Sequence, residues 1–171
     1  MEREKLQLVP FTINVKEELF QLTDKNRSFL RQWLDWVDNV KTSQDTLEFL
    51  QGQIASNLLG YTIHHDGRVV GTVGEVRVLE DSCVEIGYWL DQDMQGRGVV
   101  TWAVKELLHE IVKGGKYKSI SIRCVSQNVG SQRVALKCGF ELQGTVKDGF
   151  VLNGVAYDLL LYRLYTDEKF C

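Results

Sequence analysis

The hydrophobic pattern of this chain predicts a mixed α/β domain built on one central sheet. Three observations carry that prediction. Val84, Ile86, Tyr88 and Leu90 alternate with Glu85, Gly87 and Trp89, a period of two that belongs to a strand. The period then changes abruptly. Val99, Val100, Ala103, Val104, Leu107, Leu108, Ile111 and Val112 form a two-wide stripe at intervals of four, as on an amphipathic helix. Ile120, Ile122 and Cys124 restore the alternation for a further strand.

The remaining elements follow in order. A short strand is expected over residues 6–11. Asn14 with Glu17 has the spacing of a helix capping box. Phe29, Leu30, Trp33, Leu34 and Val37 recur at helical spacing, and so do Leu47, Leu50, Ile54 and Leu58 behind Ser43 as candidate cap. Strand signals begin near Leu59, and Asp66-Gly67 predicts a tight hairpin turn because both residues accept positive φ. Gly114-Gly115 ends the long helix. Residues 131–138 read as a short helix stopped by Gly139, and Asn153-Gly154 marks a last hairpin before a long strand over 155–165. The predicted order is strand, helices, three strands, helix, strand, helix and two strands.

The chain has 171 residues, 44% hydrophobic and 25% charged, as expected of one globular domain spanning 1–171. Its net charge of −3, with both signs mixed along the chain, gives no footprint for direct nucleic-acid binding. A charged N-terminus and the absence of any long apolar run argue against a secretory signal and a membrane span. Cys83, Cys124, Cys138 and Cys171 lack CxxC spacing and read as reduced thiols of a cytoplasmic protein. His64-His65 lacks a metal-motif partner, so no metal is expected.

The stretch carrying chemistry joins the central strand to the long helix: Gln95-Gly96-Arg97-Gly98-Val99-Val100-Thr101. The first amides of a helix lack partners within it, and the helix dipole favours an anion there. Gly96 and Gly98 let a phosphate approach the backbone, and Arg97 adds fixed positive charge, which suits a pyrophosphate. The stretch is neither a Walker loop, since no Lys-Ser/Thr pair follows Gly98, nor GxGxxG, since Thr101 takes the third glycine's place.

Gln95-Gly96-Arg97-Gly98 behind Ile86-Gly87-Tyr88-Trp89-Leu90 resembles the acetyl-CoA loop of the GNAT acetyltransferase superfamily. Asn128-x-x-Ser131-x-x-Val134-x-x-Lys137-x-Gly139-Phe140-x-x-x-Gly144 resembles the second signature of that superfamily. The two cover residues 84–144, and Leu30-x-x-Trp33-Leu34-x-Trp36 further resembles the RimJ/RimL subgroup, which acetylates N-terminal amines of ribosomal proteins. The resemblance implies a GNAT fold: a single mixed, mostly antiparallel sheet of about seven strands flanked by helices. It implies an acetyl-CoA-dependent N-acetyltransferase acting on a primary amine, foremost the α-amine of a protein. A peptide N-terminus is the implied partner, and a homodimer is compatible with it. Acetylation of a small amine (polyamine, antibiotic or amino acid) and a non-catalytic acetyl-CoA sensor are the alternatives.

By the same resemblance, Trp89, Leu90, Gln95, Gly96, Arg97, Gly98, Val99, Val100, Thr101, Asn128 and Ser131 hold acetyl-CoA. A backbone amide near Trp89 or Leu90 is the expected oxyanion donor, because family members splay this strand from its neighbour. Two departures stand out. Asp93 occupies a loop position where relatives often carry Gln or Arg, and Ala135 replaces a tyrosine that protonates the departing thiolate in many of them. Ser131, one helical turn before Ala135, is the candidate acid, and Glu85 the candidate base, directly or through water. Asn128 and Ser131 equally fit a helix N-cap. Trp33 and Trp36 fit a substrate cleft or the core, and Trp89 fits packing as well as cofactor contact. Cys124 and Cys138 read as packed thiols.

Overall fold

The computed structural model describes residues 5–166; Cys171 lies outside them. Seven strands form one sheet: β1 (Leu6–Pro10), β2 (Gly60–His65), β3 (Arg68–Leu79), β4 (Cys83–Leu90), β5 (Ser119–Val125), β6 (Glu141–Leu152) and β7 (Val155–Tyr165). Their spatial order is β1-β2-β3-β4-β5-β7-β6. Every neighbouring pair is antiparallel except β4–β5. This is the mixed, mostly antiparallel sheet that the sequence predicts. Both hairpin turns have the expected backbone, with φ of 51° and 76° at Asp66-Gly67 and 52° and 76° at Asn153-Gly154.

Helices cover both faces. The stripe Val99, Ala103, Val104, Leu107, Leu108 and Ile111 of α4 (Val99–Gly114) is buried in one core with Val84 and Ile86 of β4 and Ile120 and Ile122 of β5. On the opposite face, α1 (Lys16–Lys25) and α3 (Ser43–Ala55) bury Leu19, Leu22 and Leu50 with Val69, and Trp89 packs against that cluster. Burying one such aliphatic side chain contributes about 1.5–3 kcal/mol, so docking onto the sheet, rather than intrinsic propensity, stabilises these helices. Among the described residues, no helix is long and apolar enough to cross a membrane.

Three expectations for the first third are corrected. Asn14 does not cap a helix: it lies inside a 3₁₀ turn, Ile13–Val15, and α1 begins at Lys16 with no side-chain cap. Glu18 of its first turn instead accepts the Val69 amide at 2.9 Å. The Phe29–Val37 stripe is not one helix. Regular α structure there is confined to α2 (Arg27–Leu30), and a 3₁₀ turn follows at Trp36–Asp38. Arg27 fixes the departure by donating to the Val37 and Val40 carbonyls and to Asp24. Leu30 and Val37 are buried all the same, which explains the helix-like spacing. Finally, Thr42 caps α3 in place of Ser43. Its Oγ1 accepts the Asp45 amide while Asp45 accepts the Thr42 amide, a reciprocal capping box. Leu58 falls beyond the end of that helix at Ala55.

One glycine sets where β4 runs. A Cβ on Gly71 would stand 2.3 Å from the Trp89 carbonyl oxygen and 3.0 Å from the Leu90 Cα, so only glycine lets β3 approach the end of β4. Gly71→Ala is expected to cost about 1–3 kcal/mol by overpacking backbone against backbone. Urea unfolding measures this, and an unchanged midpoint would contradict the close approach.

Candidate active site

Strands β4 and β5 pair only through Cys83–Ser119, Val84–Ile120 and Glu85–Ser121. Beyond that point β4 stays with β3 as far as Leu90, while β5 follows β7 as far as Val125. Residues 86–90 and 122–125 therefore border a wedge-shaped gap. The Asp91 amide donates to the Val70 carbonyl at 2.7 Å. In an antiparallel ladder every second residue bonds to the same neighbour, so Trp89 and Gly87 face β3. Leu90 and Tyr88 then turn their backbone amides towards the gap. The Leu90 carbonyl agrees, accepting from Gln95 Nε2 at 3.2 Å.

At the wide end of the gap lies the glycine loop. Gly96 and Gly98 have φ of 73° and 77°, and no atom lies within 4 Å of where a Cβ on either would stand. The first helical bond of α4 runs from the Trp102 amide to the Gly98 carbonyl, and no side chain caps the helix. The amides of Val99, Val100 and Thr101 thus point, without helical partners, into open space beside the exposed Arg97. Free amides, a positive helix end and a guanidinium beside empty volume fit a pyrophosphate.

The loop is held from α1, which sequence reading did not find. Lys25 Nζ bonds Asp91 at 2.8 Å and Asp93 at 2.7 Å, and Asn26 Oδ1 accepts the Gln92 amide at 2.9 Å. Asp93, the departure in the loop, is therefore paired with a lysine. These partners lie 66 to 68 residues apart, beyond any local sequence signal. Burial pushes the Asp91 carboxyl up, but Lys25 and the Asp93 amide more than offset this and hold it below the ordinary value.

Across the gap stands α5 (Val129–Lys137). Asn128 is its N-cap, its Oδ1 accepting the Ser131 amide at 3.0 Å, so the capping alternative holds for Asn128. The Ser131 hydroxyl lies 2.8 Å from the Tyr88 hydroxyl, which also lies 3.3 Å from the Ser131 carbonyl. Tyr88 was missed at the sequence level: alternation placed it on the core face but gave no partner for its hydroxyl. Ala135 is fully buried one turn on. Burial pushes the Cys124 thiol up and that of Cys138 up to about 11, as for packed thiols.

Glu85 sits at the crotch of the fork on the other face of the sheet. Its Oε2 accepts from Arg77 Nε at 3.1 Å and its Oε1 from Arg123 Nη2 at 3.1 Å, with Arg123 Nε 2.9 Å from Oε2 as an ion pair. Burial pushes its carboxyl up while Arg77 draws it back. The structure thus does not bring Glu85 and Ser131 together; they flank the fork from opposite faces. On Glu85's side, Trp36 packs against Trp89 with ring centroids 6.2 Å apart, and Trp33 is half-buried on the same segment. The tip of the β6–β7 hairpin meets this segment where Asn153 donates to the Arg31 carbonyl at 3.3 Å.

The Lys25 clamp has a pH signature. A carboxyl held below its unfolded value stabilises the fold above that value, here 3.8, and the gain disappears as pH falls through the folded value. Lys25→Met is expected to cost about 1 kcal/mol at pH 7, since Lys25 is half-exposed and screened. The difference from the parent protein should shrink in chemical denaturation below pH 3.8. A difference that persists undiminished at pH 2 would sink this account.

Comparison with known proteins agrees with this geometry. The family model "Acetyltransferase (GNAT) domain" matches residues 5–141. The chain is 32% identical over 171 residues to the ribosomal-protein-serine acetyltransferase of Escherichia coli (strain K12), covering 97% of this chain and 96% of that protein. It is 26% identical over 158 residues to the putative ribosomal N-acetyltransferase YdaF of Bacillus subtilis (strain 168), covering 89% and 86%. Among solved structures it is similar to RimL, a ribosomal L7/L12 alpha-N-protein acetyltransferase in complex with coenzyme A, with a TM-score of 0.91, 27% identity and 96% coverage of both chains. It is also similar to the microcin C7 self-immunity acetyltransferase MccE in complex with acetyl-CoA and AMP, with a TM-score of 0.87, 28% identity, and 95% and 93% coverage. With the forked strands and the glycine loop both inside the matched span, the chain belongs to the GNAT acetyltransferase family.

Proposed function

We propose that this protein transfers the acetyl group of acetyl-CoA to the N-terminal α-amine of a protein, a ribosomal protein foremost, as one domain over residues 1–171. The observation that carries this reading is the β4–β5 gap. An anion-binding helix end lies at one side of it, a serine hydroxyl at the other, and inward-facing strand amides lie between them.

Each part of the gap has a role. Gly96, Arg97, Gly98, Val99, Val100 and Thr101 supply the amides and charge for the pyrophosphate. Gln95 fixes the loop by its bond to the Leu90 carbonyl. Asn128 sets the start of α5 and, next to the gap, orients the pantetheine arm. The Leu90 amide, beside Trp89, aims at the oxygen that gains charge as the amine attacks; one preorganised donor of this kind contributes roughly 3 kcal/mol. Ser131 gives a proton to the sulfur as the carbon–sulfur bond breaks. The acceptor nitrogen loses one proton in the same turnover, so the reaction is balanced without external acid. Glu85, its oxygens engaged by Arg77 and Arg123, receives that proton through water rather than directly. Trp33 and Trp36 border the approach of the acceptor.

The charges on the acceptor face favour this reading over polyamine acetylation. Glu85 is already engaged there by Arg77 and Arg123, which leaves it little to offer a polycation.

The test is acetyl-CoA-dependent thiol release with peptides bearing free N-termini, beside N-terminally blocked copies and spermidine. Release is expected with free α-amines alone. Ser131→Ala should lower kcat tenfold or more with unchanged acetyl-CoA affinity, and Arg97→Ala should raise the KM for acetyl-CoA severalfold. Binding of acetyl-CoA with no turnover across all amines would overturn the proposal in favour of a cofactor sensor.

A further inference from the structure

The tyrosine hydroxyl at Ser131 comes from an unexpected direction. Position 135 is alanine and fully buried, while Tyr88 reaches across the gap from the unpaired half of β4. We infer that Tyr88 is a positioning residue, whose single proton is donated to Ser131 Oγ so that the serine proton is left to face the sulfur. This rests on the reading of Ser131 as the proton donor.

The geometry allows two arrangements, because each hydroxyl has one proton and can also accept. In one, Tyr88 donates to the Ser131 carbonyl at 3.3 Å, and the serine proton is spent on the Tyr88 oxygen. Nothing is then directed into the gap. In the other, Tyr88 donates to Ser131 Oγ at 2.8 Å, the usual length for a bond between hydroxyls. The serine proton is then released to turn towards the gap. The 2.8 Å contact is made in both arrangements, and the second is the one that leaves the serine proton free for the sulfur.

Two further observations support it. The Ser131 amide is tied to Asn128, so the backbone that carries Oγ is fixed. Burial pushes the Tyr88 phenol up, so Tyr88 remains a donor throughout.

The proton balance is simple. As the carbon–sulfur bond breaks, the proton on Ser131 Oγ passes to sulfur. The oxygen left behind is held by the Tyr88 proton, and Ser131 takes one proton from solvent water while Glu85 returns to solvent the one it received from the acceptor nitrogen. Tyr88 ends the cycle as it began. Its bond matters because a serine hydroxyl is by itself a much weaker acid than a thiol, and a donor at Oγ polarises the O–H towards release.

Steady-state kinetics on Y88F, S131A, S131T and the Y88F/S131A double variant tests the inference, with acetyl-CoA affinity measured separately. Y88F is expected to lower kcat roughly tenfold, with acetyl-CoA affinity within about twofold. Ser131→Thr, which keeps a hydroxyl, should retain most of the rate. The double variant should be no slower than S131A, because a residue acting through Ser131 has nothing left to act on. A merely structural tyrosine would slow the S131A background further, and that result overturns the inference, as does full activity in Y88F beside a slow S131A. Full activity in S131A would instead overturn the reading of Ser131 itself. Should Y88F fail to fold, 3-fluorotyrosine at position 88 keeps the shape and strengthens the donor. It should raise kcat, and an unchanged kcat would count against Tyr88.

Discussion

The site depends on one strand being paired fully on one side and only briefly on the other. β4 stays with β3 to Leu90 but leaves β5 after Glu85. A paired sheet would satisfy the amides of Tyr88 and Leu90, and an unsatisfied buried amide costs about 1–3 kcal/mol. The fork tolerates these groups because they face an open gap, and the Leu90 carbonyl is satisfied by Gln95. The same opening that denies β4 its second neighbour leaves strand amides preorganised for a charge that develops between them.

Keeping the fork open requires that β4 be held from elsewhere. Gly71 lets β3 lie against the Trp89–Leu90 backbone, so the end of β4 is drawn away from β5. Immediately beyond, Lys25 and Asn26 hold residues 91–93 to α1. The glycine loop is thus fixed at its start by a cation whose partners are Asp91 and Asp93. Asp93, unable to donate to an anion, serves that anchor instead. A loop position read as a loss for cofactor binding turns out to be a gain for loop order.

What was legible in the sequence was local. The change of period from β4 to α4 and back to β5, the Asp66-Gly67 and Asn153-Gly154 turns and the glycine loop are each decided by residues a few positions apart. The N-terminal third was not legible for the same reason. Leu30 and Val37 are buried at helical spacing, yet Arg27 takes the Val37 carbonyl and bends the chain out of the helix between them. Thr42 and Ser43 are both good caps, and the choice fell to Thr42 because Asp45 lies three residues after it and can reciprocate. At the site, the family motif reached Ser131 and Asn128. It missed Lys25 and Tyr88, whose meaning lies in partners 66 and 43 residues away.

The division of the fork into two faces bears on which amine suits it. Ser131 and Tyr88 sit with the α4 face, while Glu85, Arg77, Arg123, Trp36 and Trp89 sit on the other, so on the proposed reading donor chemistry and acceptor approach lie on opposite faces of the sheet. On that second face the Glu85 carboxylate is already shared by two guanidinium groups. A lysine side chain, with a pKa of about 10.4 against about 7.7–8 for an α-amine, would need roughly 3.5 kcal/mol more to shed its proton near neutral pH. A carboxylate engaged by Arg77 and Arg123 is a poor source of that energy. An α-amine, neutral in a substantial fraction already, asks little of it. Burial and the two arginines thus leave Glu85 with its oxygens already engaged, which on the proposed reading suits an acceptor that hardly needs a base.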